Sequence, residues 1–216
     1  MHQNIQLIAF DLDGTLIDTM GCFADIAGKL LNEYFGWRVE YGRQRYLETS
    51  GIPFFQQLEV LLPQHRKNKE VASLFEKQKI ASFMSEKISE KTVETLHRLK
   101  DLEIKTAISS NNYDPLVKEF VHRENVPVDL ALGFKTDFFK GQPHFVHLQN
   151  YFKTSADRTV FIGDSLKDGQ LAAQNNVKFI AKIGTFFEND FRTARLSTQV
   201  GSIYDIHEIM DVLENL

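Results

Sequence analysis

The chain opens on a mainly apolar run, Ile5-Gln6-Leu7-Ile8-Ala9-Phe10, of a length suited to one buried strand. The period then changes. Phe23, Ile26, Ala27, Leu30, Leu31 and Tyr34 recur at helical spacing across 19–36, and Gly36 stands where such a helix would end. Helical patterns continue past Gly51-Ile52-Pro53, with Pro53 suited to a first turn, and include 70–84 with Val71, Leu74, Phe75 and Phe83. No stretch between 19 and 90 reads as strand. From residue 90 helix and strand alternate. A helix at 90–100 precedes a strand at 104–108, and a helix at 113–123 precedes a short strand near 128–132. Helices at 143–152, 167–175 and 205–215 flank strands at 159–162 and 177–181. Such alternation predicts a parallel sheet covered on both faces through right-handed crossovers. The expected fold is therefore α/β: a Rossmann-like parallel sheet core, residues 1–17 and 92–216, interrupted after its first strand by an all-helical insert, 18–91. No internal repeat or low-complexity segment interrupts this plan.

Composition narrows the classes. A chain of 216 residues, 43% hydrophobic and 25% charged, holds one large domain with a sizeable insertion. Its formal net charge of −4 gives no electrostatic case for a nucleic-acid partner. The 18 phenylalanines read as core. The single cysteine, Cys22, excludes an internal disulfide and reads as a buried structural thiol on a helix face. The start Met1-His2-Gln3-Asn4 lacks a basic region, and no apolar run approaches the ~20 residues that span a bilayer. These readings lead to an expectation of a cytoplasmic protein without a membrane partner, monomeric or weakly homodimeric.

The chemistry concentrates where predicted strands end. Asp11 and Asp13 leave the first strand at i, i+2 with Gly14 directly behind them, so both can face one ligand. That edge of an open α/β sheet is where ligands bind. Paired carboxylates repel, and a hard divalent ion such as Mg²⁺ is their natural counter-charge. Ser109 and Ser110 follow the strand at 104–108, where a hydroxyl can donate to an anion. Lys140-Gly141-Gln142-Pro143 precedes a helix and offers a mobile point charge for a phosphate. Asp164 and Asp168 flank a strand-to-helix turn at i, i+4. Each also has a plain reading: a turn at Asp13-Gly14, a helix cap at Asp164-Ser165, a solvated lysine at Lys140. It is the ordered combination that points to one site.

With these residues the chain resembles the haloacid dehalogenase superfamily. Asp11-Leu12-Asp13-Gly14-Thr15 matches its first motif, Ser109 the second, Lys140 with Gly-Gln-Pro the third, and Asp164 with Asp168 the fourth; Lys135 competes for the third. The insert is similar to the helical C1-type cap of phosphoglycolate phosphatase-like and β-phosphoglucomutase-like members. The resemblance implies a Mg²⁺-dependent phosphomonoesterase of a small phosphorylated metabolite. Asp11 would be the nucleophile forming an aspartyl-phosphate, and Asp13 the general acid and base. Ser109 and Lys140 would hold phosphoryl oxygens, with the N–H groups of Leu12, Asp13 and Ser110 completing the cradle. Metal contacts would come from Asp11, Asp13 through its carbonyl, and Asp164, with Asp168 just outside. Asp13 separates this chain from true dehalogenases, which lack the second Asp. Substrate choice would fall to the insert, with Arg43, Arg45, Phe54 and Phe55 as candidates; two phenylalanines stand where related enzymes often carry an arginine. The rival readings are a phosphomutase and a catalytically silent binding protein. His144 and His147, at i, i+3, lack a nearby acidic partner in sequence and are not read as metal ligands.

Overall fold

The computed structural model describes residues 5–215, so the readings made on Met1–Asn4 lie outside the described residues. In chain order, β1 (Leu7–Phe10) is followed by α1 (Met20–Phe35), α2 (Val39–Glu48), α3 (Phe54–Leu61) and α4 (Asn68–Phe83). Then come α5 (Glu90–Asp101), β2 (Lys105–Tyr113), α6 (Asp114–Arg123), β3 (Leu130–Phe134) and α7 (Gln142–Phe152). The chain ends through β4 (Thr159–Gly163), α8 (Leu166–Gln174), β5 (Lys178–Lys182), α9 (Glu188–Ala194), β6 (Gln199–Ile203) and α10 (Ile209–Glu214). Two compact units result: one from residues up to Ile17 and from Lys87 onward, the other Asp18–Glu86. The helical unit therefore stops at 86 rather than 91, because α5 belongs to the sheet unit.

In the sheet unit six parallel strands lie in the order β3-β2-β1-β4-β5-β6. Chain connections leave β1 toward β2 on one side and return to β4 on the other, so the topological switch lies between β1 and β4, where this class of fold binds ligands. Side chains alternate across the sheet. Leu7, Ala9, Ala107, Phe161 and Phe179 form one face, packed with Phe145 and Leu148 of α7, Ala172 of α8 and Phe191 of α9. The alternate positions Ile8, Phe10, Ile108, Val160, Ile162 and Ile180 are buried as well. Ten phenylalanines, among them Phe10, Phe145 and Phe161, have fully enclosed side chains, consistent with the core reading of this residue type.

The structure departs from the sequence reading in four places. The strand expected at 104–108 continues to Tyr113, and its register against β3 shifts between Ser109 and Tyr113, so the polar run Ser109-Ser110-Asn111-Asn112 lies within the strand rather than beyond its end. The helix α9 and strand β6 were not expected. β6 is an edge strand, Gln199-Val200-Gly201-Ser202-Ile203, mostly half-buried, so it lacks the apolar run that marks inner strands. The expected 205–215 helix is split into a 3₁₀ turn, Ile206–Glu208, and α10. Cys22 is exposed, with its Sγ 2.9 Å from Ser82 Oγ, rather than a buried core thiol.

The helical unit has its own aromatic core. Phe54 lies 4.2 Å from Phe75 and 5.7 Å from Tyr46 between ring centroids, and all three are buried. Buried Gln57 donates to the Ile52 carbonyl and accepts from the Thr49 hydroxyl, tying the start of α3 to the end of α2. Among the described residues no helix is long and apolar enough to cross a membrane.

Candidate active site

Asp11 follows β1 directly. Its backbone N–H donates to the Ile162 carbonyl at the end of β4, so the chain leaves the sheet at the switch point with Asp11 buried. The turn that follows is closed by the Gly14 N–H bonding to the Ile17 carbonyl; Gly14 sits at φ 73°, a left-handed conformation that glycine adopts without steric cost. This turn leaves Asp13 half-buried, its Oδ2 accepting from Asn112 Nδ2 at 2.7 Å. The Leu12 N–H donates to Asp11 Oδ1 at 2.7 Å.

Lys140 reaches the same carboxylate. Its Nζ lies 2.7 Å from Asp11 Oδ1 and 3.0 Å from Asp168 Oδ1, with all three residues buried. Lys135, the competitor, is half exposed and pairs with Asp114. Asp168 also accepts through Oδ2 from the Ser165 hydroxyl at 2.6 Å, while its own N–H donates to Ser165 Oγ. This reciprocal cap starts α8 and fixes Asp168 against β4. The approach requires Gly163, because a Cβ there would lie 2.6 Å from that of Asp168. Asp164 is buried at the end of β4, and its Oδ2 accepts from the Thr185 hydroxyl in the loop after β5.

Carboxylate oxygens of Asp11, Asp164 and Asp168 all lie within 4.8 Å of one another. Three buried acids share one buried cation, and the electrostatics follow from that imbalance. Burial raises the Asp11 carboxyl well above the usual carboxylate range; Lys140 opposes this, and Asp168, Asp164 and Asp13 add to it. Asp164 is pushed to about 7, first by burial and then by Asp168. Burial alone would lower Lys140, but Asp11 and Asp168 outweigh it and hold the ammonium above the usual lysine value. An all-oxygen donor set with excess negative charge fits a hard divalent cation.

Ser109 is fully buried, and its Oγ lies 2.9 Å from Nδ1 of His144. Ser110 is buried beside it, its Oγ accepting from the Asn112 N–H at 3.1 Å, and the Lys140 N–H donates to Asn111 Oδ1 at 3.3 Å. The four motif segments are thus hydrogen-bonded into one cluster at one sheet edge.

Residues 8–182 match the family of haloacid dehalogenase-like hydrolases. The chain belongs to that family. No curated protein matches it in sequence. Among solved structures, a candidate phosphoglycolate phosphatase of Lactobacillus delbrueckii subsp. bulgaricus superposes with a TM-score of 0.82 at 16% identity, covering 97% of this chain and 98% of that one. A haloacid dehalogenase-like protein of Streptococcus pneumoniae gives 0.79 at 14%, covering 96% and 98%. CbbY of Rhodobacter sphaeroides, in complex with xylulose-1,5-bisphosphate, gives 0.71 at 15%, covering 97% and 99%. At such identities the likeness is one of fold.

In this dehalogenase-like chain the expected core residues Asp11, Leu12, Asp13, Ser109, Ser110, Lys140, Asp164 and Asp168 fall together. The candidates of the helical unit are engaged within that unit. Arg43 pairs with Asp25, Arg45 with Glu48, and Phe54 is enclosed by Tyr46 and Phe75; Phe55 alone presents a partly exposed ring, 37% accessible. Asn112 and Thr185 escaped sequence reading, Ser165 was read only as the helix cap it also is, and His144 was weighed only as a metal ligand. His144 showed only its spacing to His147, and Thr185 lies 21 residues beyond Asp164 in a loop without a motif.

Proposed function

We propose that this hydrolase-family enzyme is a Mg²⁺-dependent phosphomonoesterase acting on a small phosphorylated metabolite. The observation that carries the reading is the buried contact of Lys140 Nζ with Asp11 Oδ1, inside a cluster of three carboxylates beyond β1 and β4. A carboxylate attacks a phosphoryl group only when the repulsion between the two anions is offset, and the Lys140 ammonium sits where it does that.

In the proposed cycle an oxygen of Asp11 attacks phosphorus and the bond to the leaving oxygen breaks. Asp13 gives its proton to that oxygen, releasing an alcohol. Asp13 then takes a proton from water as the water attacks phosphorus, the bond to Asp11 breaks, and inorganic phosphate leaves. Asn112 donates to Oδ2 of Asp13 and so fixes the orientation of that carboxyl. Asp11, Asp164 and the carbonyl of Asp13 would hold the cation, while Asp168 anchors Lys140. When bound, the cation supplies charge neutralisation at the phosphoryl oxygens. Choice of leaving group is proposed for the helical unit, where Phe55 is the first residue to vary.

The test is hydrolysis of para-nitrophenyl phosphate with and without Mg²⁺. Wild type should turn over only with the cation, and Asp11→Asn should abolish turnover while leaving the circular dichroism spectrum unchanged. Activity of the variant within tenfold of wild type would overturn the assignment of Asp11 as nucleophile.

A further inference from the structure

We propose that His144 is a positioning residue: its imidazole orients the Ser109 hydroxyl toward a phosphoryl oxygen. The inference rests on the phosphatase reading above. His144 stands in the first turn of α7, four residues after Lys140, and is completely buried with its ring 4.6 Å from that of Phe138. One short segment therefore delivers two groups to the site, Lys140 to Asp11 and His144 to Ser109.

A fully buried histidine is costly unless it is bonded, and a leucine or phenylalanine would fill the same space without that demand. The bond it makes is to the one hydroxyl that the motif pattern assigns to phosphate. Ser109 lies in β2 where the register against β3 begins to slip, and a serine side chain has three staggered rotamers to choose among. A fixed partner 2.9 Å from Oγ selects one. A hydroxyl has one proton and two acceptor lone pairs. His144 Nε2 is buried without a hydrogen-bond partner among the described residues, so a proton there would be an unsatisfied donor; with the ring proton on Nδ1 instead, His144 donates to Oγ, and the hydroxyl proton is left for the phosphoryl oxygen.

The experiment measures binding of inorganic phosphate in the presence of Mg²⁺ by calorimetry, in a double-mutant cycle of His144→Leu and Ser109→Ala. Asparagine places a polar atom the same number of bonds from Cα as Nδ1, so His144→Asn is the conservative control. His144→Leu should weaken phosphate binding about tenfold, the size of one lost hydrogen bond, with His144→Asn within about threefold of wild type. In the Ser109→Ala background His144→Leu should change affinity less than about twofold, because the group it positions is gone. The same tenfold loss in both backgrounds, or no rescue by asparagine, would reduce His144 to a packing residue and overturn the proposal. Turnover separates this from the parent reading. If Asp11→Asn abolishes hydrolysis but the cycle shows no coupling, only the role of His144 fails; if Asp11→Asn retains turnover, the phosphatase mechanism fails whatever the cycle gives.

Discussion

Replacing His144 by asparagine should flatten the acid limb of the stability curve. Burial holds the folded imidazole at about 4, against 6.5 when solvated. Because the folded pKa is the lower one, the unfolded chain binds the extra proton. Stability is then fully present above pH 6.5 and falls as pH drops toward 4. At 1.36 kcal/mol per pH unit, the contribution lost by pH 5 is about 2 kcal/mol, and the loss levels off at roughly 3 kcal/mol below pH 4. Asparagine does not titrate, so the variant lacks this component. The assay is urea unfolding of both proteins by circular dichroism at pH 7.5 and pH 5. The quantity compared is the change in unfolding free energy between the two pH values, which removes the mutation's pH-independent cost. Wild type should lose about 2 kcal/mol more than His144→Asn. Equal losses would show that the buried imidazole titrates as if solvated, and the account of its environment would fall.

Two further outcomes follow from other parts of the molecule. Saturating Mg²⁺ should raise the thermal midpoint of wild type by mass action, and Asp164→Ala should remove most of that gain; an unchanged shift would place the cation elsewhere. Phe54→Ala should destabilise the helical unit by about 3–5 kcal/mol, because it empties the space between Tyr46 and Phe75; thermal unfolding with Trp37, a residue of that unit, as the fluorescent probe checks this, and a change below about 1 kcal/mol would show the cluster collapses around the gap.

Much of the site was legible because its chemistry is tied to local chain events. Asp11, Asp13 and Asp164 each follow a strong apolar strand, and in a parallel sheet all strands end on the same edge, so residues far apart in sequence were bound to meet. The helical insert was readable from an absence: no period-two or buried-strand run lies between Asp18 and Glu86. Strand β6 was not legible, because an edge strand buries little and its residues carry no apolar signature.

The alphabet of residue types fixed which groups could do chemistry, but only the tertiary structure decided which partners they have. The Gly-Gln-Pro flank favoured Lys140 over Lys135 but named no partner for either; the path from β3 into α7 buries the first against Asp11 and Asp168 and leaves the second exposed beside Asp114. The same holds for His144 on Ser109, Asn112 on Asp13 and Thr185 on Asp164. Sequence patterning reports how each segment divides its faces between core and water, which is a local property. A hydrogen bond between segments 21 to 99 residues apart depends on how the sheet stacks them, and no single segment carries that information.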